Sequence, residues 1–331
     1  MAVTDKQAML MEYTRCASDP IHTIERYFET FDKTQEGFVP FKLFEIQKNL
    51  IKNYDEHRFN LVVKYRQAGI STVTAGYCAV KTVFAPKTNP ERILILANKL
   101  ETAIEFQSKI LTFIKQLPTW VNVSFTKSAQ KHVKLMNGSE IKAVATSPDA
   151  LRGYTPTILI LDEAAFIEGG QDLWVACLAA IGTGGKAFLI STPNGLDEIY
   201  YEAYEGSLNN TNSFHITHLN WWEDPRFGKN LKLIKTKDVL LWIQLPKEEQ
   251  KEYEVIEDAS QFSQEELLQK ISEGYRPFSS WYENMCREMN LNRRLINQEL
   301  ECVVGATYIT IKNKKTNLIE EIKIEDLYDK L

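Results

Sequence analysis

The chain has 331 residues, with 39 Lys or Arg against 44 Asp or Glu for a net charge of −5; 44% of its residues are hydrophobic and 25% charged. That is the make-up of a folded chain of about two domains, and it excludes a collagenous, low-complexity or mostly disordered protein. No apolar run reaches the roughly 18 residues of a membrane span, and the N-terminus lacks the basic-then-apolar layout of a signal peptide, so no membrane partner is expected. Cys16, Cys78, Cys177, Cys286 and Cys302 are scattered, odd in number and without C-x-x-C spacing. They argue against a disulfide framework or a structural zinc site, and for a reducing cytoplasm. Mild acidity argues against coating nucleic acid by bulk charge but leaves room for a local basic channel.

In chain order, residues 1–50 read as a helical segment. Ile21 to Phe31 has helical periodicity, and Phe41 to Ile51 follows Pro40, a common helix-start residue. Residues 51–220 change to short β-branched runs followed by helices. Strands are expected at Leu61–Lys64, Arg92–Ala97, Thr157–Leu161 and Ala187–Ser191, with a helix from Glu101 to Leu117. Continuous apolar strands separated by helices predict an α/β fold with a mostly parallel sheet flanked by helices. Asn137-Gly138 between two alternating runs predicts a hairpin. Residues 221–301 read as a polar, aromatic, helical subdomain with no strand pattern. Residues 302–331 read as a short β-hairpin module, alternating at period two on either side of Asn313 to Asn317.

Three segments lie where a nucleotide-hydrolysing α/β domain needs its chemistry. Lys64-Tyr-Arg-Gln-Ala-Gly-Ile-Ser-Thr72 joins a strand to a helix, and such a loop aims backbone N–H groups at phosphates. In the usual G-x-x-x-x-G-K-[ST] pattern Gly comes first and Lys precedes the hydroxyl residue. Here Lys64 stands in the first place and Ile70 in the second, so the phosphate-facing cation is Lys64 or Arg66. The candidate phosphate-binding set is Lys64, Arg66, Gln67, Ala68, Gly69, Ile70, Ser71 and Thr72. The apolar run Ile158–Leu161 ends in Asp162-Glu163: Asp162, with Ser71, is the candidate Mg²⁺ ligand, and Glu163 the group that polarises an attacking water. Ser191-Thr-Pro-Asn-Gly195 is a polar turn directly after the fourth strand. All three segments close strands at the edge where doubly wound sheets bind ligands.

Together with Thr146-Ser-Pro-Asp-Ala-Leu-Arg-Gly153, these segments resemble the ATPase of the large terminase subunit, the DNA-packaging motor of tailed double-stranded-DNA phages. The resemblance spans roughly residues 20–301 and implies an ASCE-type P-loop NTPase that binds ATP and Mg²⁺. It implies self-association into a ring on the portal protein, with double-stranded DNA and the small terminase subunit as further partners. Its place would be the host cytoplasm rather than the mature virion. By the same resemblance Gln47 reads adenine and Ser191, Thr192 and Pro193 couple hydrolysis to movement. Arg152 has two readings, an arginine finger reaching a neighbouring subunit or a loop Arg in a local ion pair.

Large terminases continue from a segment like Asn297–Glu301 into a metal-dependent nuclease domain. Only 30 residues follow Glu301 here, so nuclease activity is not expected in this chain. Cys302-Val-Val-Gly-Ala-Thr-Tyr-Ile-Thr-Ile311 is instead similar to the opening block of inteins, with Ala306 where many inteins carry Asp. That implies a splice junction at Glu301–Cys302 with Cys302 as nucleophile. The tail would be the N-terminal fragment of a split intein, and a complementary chain would bring the nuclease. The alternatives are a truncated ATPase whose tail is only structural, a non-catalytic nucleotide-binding subunit, and a helicase-like translocase.

Overall fold

The computed structural model describes residues 5–32, 36–146, 151, 153–167, 170–194, 198–301, 308–312 and 319–323. Arg152, Gly195, Cys302 and Ala306 lie outside the described residues. Contacts divide the chain into two compact units, one holding the chain up to Val63, Gly69–Thr217 and the hairpin strands of the tail, the other Lys64–Ala68 and the chain from His218 to Glu301.

The first unit begins with helices α1 (Asp5–Ser18) and α2 (Pro20–Tyr27), a hairpin of β1 (Glu29–Asp32) and β2 (Gly37–Pro40), and helix α3 (Glu45–Glu56). Next come β3 (Phe59–Lys64), α4 (Ile70–Phe84), β4 (Arg92–Ala97), α5 (Leu100–Gln116), β5 (Phe125–Ala129), β6 (His132–Leu135) and β7 (Glu140–Ala145). The unit continues with β8 (Ile158–Asp162), α6 (Gly170–Ile181), β9 (Lys186–Ser191), α7 (Glu198–Leu208) and β10 (Phe214–Leu219). Eight strands form one sheet in the order β10-β3-β9-β8-β4-β7-β6-β5. The pairs β3–β9, β9–β8, β8–β4 and β4–β7 are parallel, whereas β7–β6 and β6–β5 are antiparallel.

Burial on both faces is why the parallel strands read as unbroken apolar runs. Leu61–Val63, Ile93–Ala97, Leu159–Leu161 and Ala187–Ile190 have no exposed surface. The β6–β7 pairing carries the hairpin that Asn137-Gly138 predicts; Gly138 has φ +93 there, a conformation open to glycine. Helix α4 is buried nearly throughout, which suits a helix running from the edge of a strand back across its sheet. Ile24 of α2 packs on it where Gly76 leaves room, a Cβ there falling 3.3 Å from Ile24 Cδ1.

Two sequence expectations need correction here. The first fifty residues are not all helical: α2 stops at Tyr27, and Pro40 closes β2 instead of opening a helix. The cross-strand pair Phe31 and Phe38, with ring centroids 5.8 Å apart, explains the change, because such pairs stabilise a hairpin whatever the periodicity around it. Helix α3 starts five residues after Pro40, where the Gln47 side chain caps it by accepting the Phe44 N–H at 3.1 Å.

The second unit is also not purely helical. It contains β11 (Lys232–Lys235), α8 (Val239–Gln244), α9 (Lys247–Gln250), β12 (Val255–Ile256), α10 (Gln264–Ser272), β13 (Tyr275–Phe278), α11 (Ser280–Glu288) and α12 (Arg293–Ile296). Strands β12-β11-β13 form an antiparallel sheet. Its strands are two to four residues long, and β11 buries the adjacent Leu233 and Ile234, so no period-two alternation marks them. After a π-helical turn at Asn297–Glu301, the tail pairs β14 (Tyr308–Lys312) with β15 (Ile319–Lys323) antiparallel, as its alternation predicts.

Candidate active site

Sheet register places the candidate chemistry of the first unit along one edge. Val63, the penultimate residue of β3, pairs with Ser191 at the end of β9, and Ile190 pairs with Asp162 at the end of β8. Helix α4 leaves this edge with Gly69 as its N-cap at φ +74, a left-handed conformation for which glycine is suited. The first turn of a helix leaves backbone N–H groups without intrahelical partners and carries the positive end of the helix dipole, a combination that attracts phosphate.

Ser71, in that first turn, points its hydroxyl at Asp162: Oγ lies 3.2 Å from Oδ1 and 3.3 Å from Oδ2. Asp162 is buried at the end of β8, and Ser71 is half-buried. A hydroxyl and a carboxylate side by side at a helix N-terminus fit a Mg²⁺ ion, which is held by few protein oxygens and keeps water and phosphate oxygens in its other positions. Glu163 follows at φ +53, in the left-handed region where a residue with a side chain is strained. This kink turns Glu163 out of the strand line and leaves it half-buried.

The turn after β9 grips the segment behind Glu163. Ser191 Oγ accepts the Ala165 N–H at 3.1 Å, and Asn194 Nδ2 donates to the Ala165 carbonyl at 3.1 Å. Thr192 and Pro193 are buried beside them. Tyr200 of α7 donates its hydroxyl to the Val62 carbonyl at 2.8 Å and lies 3.3 Å from the Ser191 carbonyl, tying β3 to β9. Gln47 is buried against the loop: a Cβ at Gly69 would sit 3.5 Å from its Nε2. Ile70 is buried, so only its backbone is available to phosphate; Thr72 is half-buried.

The other half of the loop, Lys64–Ala68, packs within the second unit. Lys64 and Ala68 are buried there, and Arg66 is exposed. The Arg66 N–H donates to the Glu299 carbonyl at 2.7 Å, and its guanidinium lies 3.2 Å from the Glu299 carboxylate. Tyr65 donates its hydroxyl to the fully buried Asp224 at 2.5 Å. Burial, reinforced by that carboxylate, pushes the Tyr65 phenol far above its ordinary range. Asp224 is held in turn by Arg226, with Nε 2.9 Å from Oδ1 and Nη2 2.6 Å from Oδ2, and Arg226 Nη2 donates to the Gln67 carbonyl at 3.2 Å. Gln67 needs such support, since its φ is +64.

Sequence reasoning missed Tyr65, Asp224, Arg226, Glu299 and Tyr200. The one signal for them was the acid-containing aromatic run Trp221–Pro225, whose role depends on a partner more than 150 residues away. At the end of the second unit Glu301 receives the Tyr282 hydroxyl, and burial raises its carboxyl above the usual range.

A family profile described as the N-terminal part of the T4-like-virus type of terminase large subunit matches residues 62–308. The Mu-like prophage FluMu protein gp28 of Haemophilus influenzae is 36% identical over 80 residues, covering 24% of this chain and 16% of that protein. The probable terminase large subunit gp28 of Escherichia phage Mu is 26% identical over 159 residues, covering 44% of this chain and 28% of that protein. The aligned stretches therefore span less than a third of either relative. Among solved structures, a variant of the large terminase ATPase domain of Thermus phage P74-26 shares the fold at TM-score 0.50 and 19% identity, covering 79% of this chain and 94% of that one. No described helix is long and apolar enough to cross a membrane. With the profile matching well over half of its length, the chain belongs to the N-terminal family of terminase large subunits.

Proposed function

We propose that the chain is the ATP-hydrolysing motor part of a phage large terminase and that it drives double-stranded DNA into a procapsid. The observation that carries this reading is the Ser71–Asp162 pair at the N-terminus of α4, with Glu163 turned out beside it. ATP is the substrate. The backbone from Gly69 to Thr72 binds its phosphates, Lys64 or Arg66 offsets their charge, and Gln47 reads the adenine. Ser71 and Asp162 hold Mg²⁺, which when bound supplies neutralisation of the phosphate oxygens. Glu163 accepts a hydrogen bond from the attacking water. As the water oxygen bonds to the γ-phosphorus, the bond from that phosphorus to the bridging oxygen breaks, and the water's proton leaves through Glu163 or the phosphate itself. The Ser191 and Asn194 grip on Ala165 connects a shift of Glu163 to the chain beyond β9, the coupling role read for Ser191, Thr192 and Pro193.

Portal protein, the small terminase subunit and other copies of this chain in a ring are the proposed partners, with Arg152 as the residue reaching across between copies. The tail is proposed as the N-terminal part of a split intein. In that reaction the Cys302 thiolate attacks the Glu301 carbonyl, the amide C–N bond breaks, a thioester forms and the freed amine takes up a proton. The alternating sequence after Cys302 and the β14–β15 pairing support it.

Two measurements test these readings separately. Binding of a fluorescent ATP analogue should be strengthened by Mg²⁺ in the native chain and lose that dependence in Asp162→Asn; unchanged dependence contradicts the assigned metal ligands. Mixing the chain with a complementary C-terminal piece and weighing the products should show residues 302–331 lost and Glu301 joined to a new chain. An unchanged mass, with no thiol-induced cleavage at this bond, makes the tail a structural hairpin and leaves the ATPase reading standing.

A further inference from the structure

Away from the candidate active site, α1 and α2 bring three metal-ligating side chains together. Glu12 and Cys16, four residues apart, lie on one face of α1, and His22 stands in the first turn of α2. One donor atom from each falls within 4.8 Å of the others. Asp19 fixes this approach by capping α2, its carboxylate accepting the His22 N–H at 3.0 Å. Thr23 adds a bridge between the helices by donating its hydroxyl to the Cys16 carbonyl at 3.0 Å.

The contacts within the cluster all converge on a single oxygen. Glu12 Oε1 has His22 Nε2 at 2.8 Å, the Tyr27 hydroxyl at 2.8 Å and Cys16 Sγ at 3.8 Å. A carboxylate oxygen has two lone pairs, so three donors oversubscribe it and the thiol is left with a long, weak contact. Cys16 has no exposed surface, while Glu12 and His22 are partly exposed, so the cluster is buried at the sulfur and reached by solvent at the carboxylate and imidazole.

We infer that Glu12, Cys16 and His22 form a Zn²⁺ site, with water in the fourth position, that staples α1 to α2. The donor set is one Zn²⁺ favours: a thiolate, an imidazole and a carboxylate. In a tetrahedral site with ordinary bond lengths, the sulfur–oxygen and nitrogen–oxygen separations are roughly 3.5 and 3.3 Å. The sulfur–oxygen and nitrogen–oxygen separations reach these values from 3.8 and 2.8 Å with changes of about half an ångström or less, and the sulfur–nitrogen separation starts from no more than 4.8 Å, within reach of side-chain rotation. Binding displaces the Cys16 thiol proton to solvent, sends the His22 Nε2 proton to Nδ1 or to solvent, and replaces the His22 and Cys16 contacts to one oxygen with three bonds to the ion. The Tyr27 hydroxyl stays on Glu12 as a supporting donor, the arrangement that orients metal-bound carboxylates. Because the ligands come from two helices, the site has none of the C-x-x-C spacing that a reading of the cysteines looks for. Its consequence reaches α4, since Ile24 of the stapled pair packs at Gly76 on that helix.

The test is titration of the full chain, stripped of metal by a chelator, with Co²⁺ and then with Zn²⁺ as competitor. One equivalent of Co²⁺ per chain is expected, with a thiolate-to-cobalt charge-transfer band that Zn²⁺ abolishes. Cys16→Ser should remove the band, whereas Cys286→Ser and Cys302→Ser should keep it. His22→Gln, at a partly exposed position, should weaken Co²⁺ binding by at least about tenfold, the lower end of what even supporting groups cost a metal site. Failure of the native chain to bind one equivalent, a band that survives Cys16→Ser, or unchanged affinity in His22→Gln would each overturn the assignment.

Discussion

At the scale of single residues, placement on the pleat and in the turn decides what each side chain can do. Asp162 ends β8 buried with Ser71 for company, and the next residue, Glu163, escapes the same burial through its positive φ. Two adjacent carboxylates thus receive different surroundings. Gln107 of α5 is a contrasting case. It is buried, and neither atom of its amide has a hydrogen-bond partner among the described residues. Leaving a buried polar group unpaired costs about 1–3 kcal/mol, so Gln107→Met, close in volume, should leave stability unchanged or raise it by about 1 kcal/mol. The urea midpoint reads this directly; a loss of 1 kcal/mol or more would reveal a polar partner the amide needs.

At the scale of elements, the loop segment Lys64–Ala68 is organised by chain far away in sequence. Tyr65, Arg226 and Gln67 all meet around Asp224, which has no contact with solvent. Asp224→Asn keeps the shape but removes the charge that holds the guanidinium and the phenol, and hydrogen bonds to charged groups are worth about 1.5–3 kcal/mol. With Arg226 half-exposed and free to recover hydration, a loss of about 2 kcal/mol is expected in chemical unfolding, and a neutral result would contradict the bracing role.

A second element contact responds to pH. His57, the C-cap of α3, stacks on His215 of β10 with centroids 3.8 Å apart and ring planes at 6°. Burial, then the neighbouring His57, holds His215 below its ordinary value of 6.5, while Glu56 pulls the other way. Below that value the unfolded chain binds the proton that the folded chain refuses. The contribution is therefore intact above the unfolded pKa and is lost as pH falls toward the depressed folded one. Unfolding midpoints should drop as pH falls through and below about 6.5, and His215→Gln should flatten that drop. An equal slope in the variant would place the pH sensitivity elsewhere.

At the scale of the whole molecule, legibility followed the range of the interactions. The parallel strands were readable because burial on both faces leaves unbroken runs such as Ile93–Ala97, and the β6–β7 hairpin because Asn137-Gly138 announces its turn. That the proposed motifs stand at the ends of β3, β8 and β9 was readable for a related reason: each follows directly on one of those unbroken apolar runs. Elements set by partners distant in sequence were not readable. Strand β11 carries two adjacent buried residues without alternation, and β1–β2 rests on the cross-strand pair Phe31 and Phe38 inside a segment with helical periodicity. The bracing of Tyr65 by Asp224 crosses more than 150 residues, and no local spacing encodes it.

The chain belongs to the terminase large subunit family and shares the fold of a terminase ATPase domain, and the central proposal made for it is that it turns over ATP through Glu163. The most direct test is steady-state phosphate release by the purified chain and by Glu163→Gln, with nucleotide binding measured on both. The account predicts turnover in the native chain and a fall of about 10²–10⁴-fold in the variant, the usual contribution of a positioned proton acceptor, with binding retained. Turnover in Glu163→Gln equal to the native rate, or no turnover by a native chain that binds Mg²⁺-ATP, would contradict it.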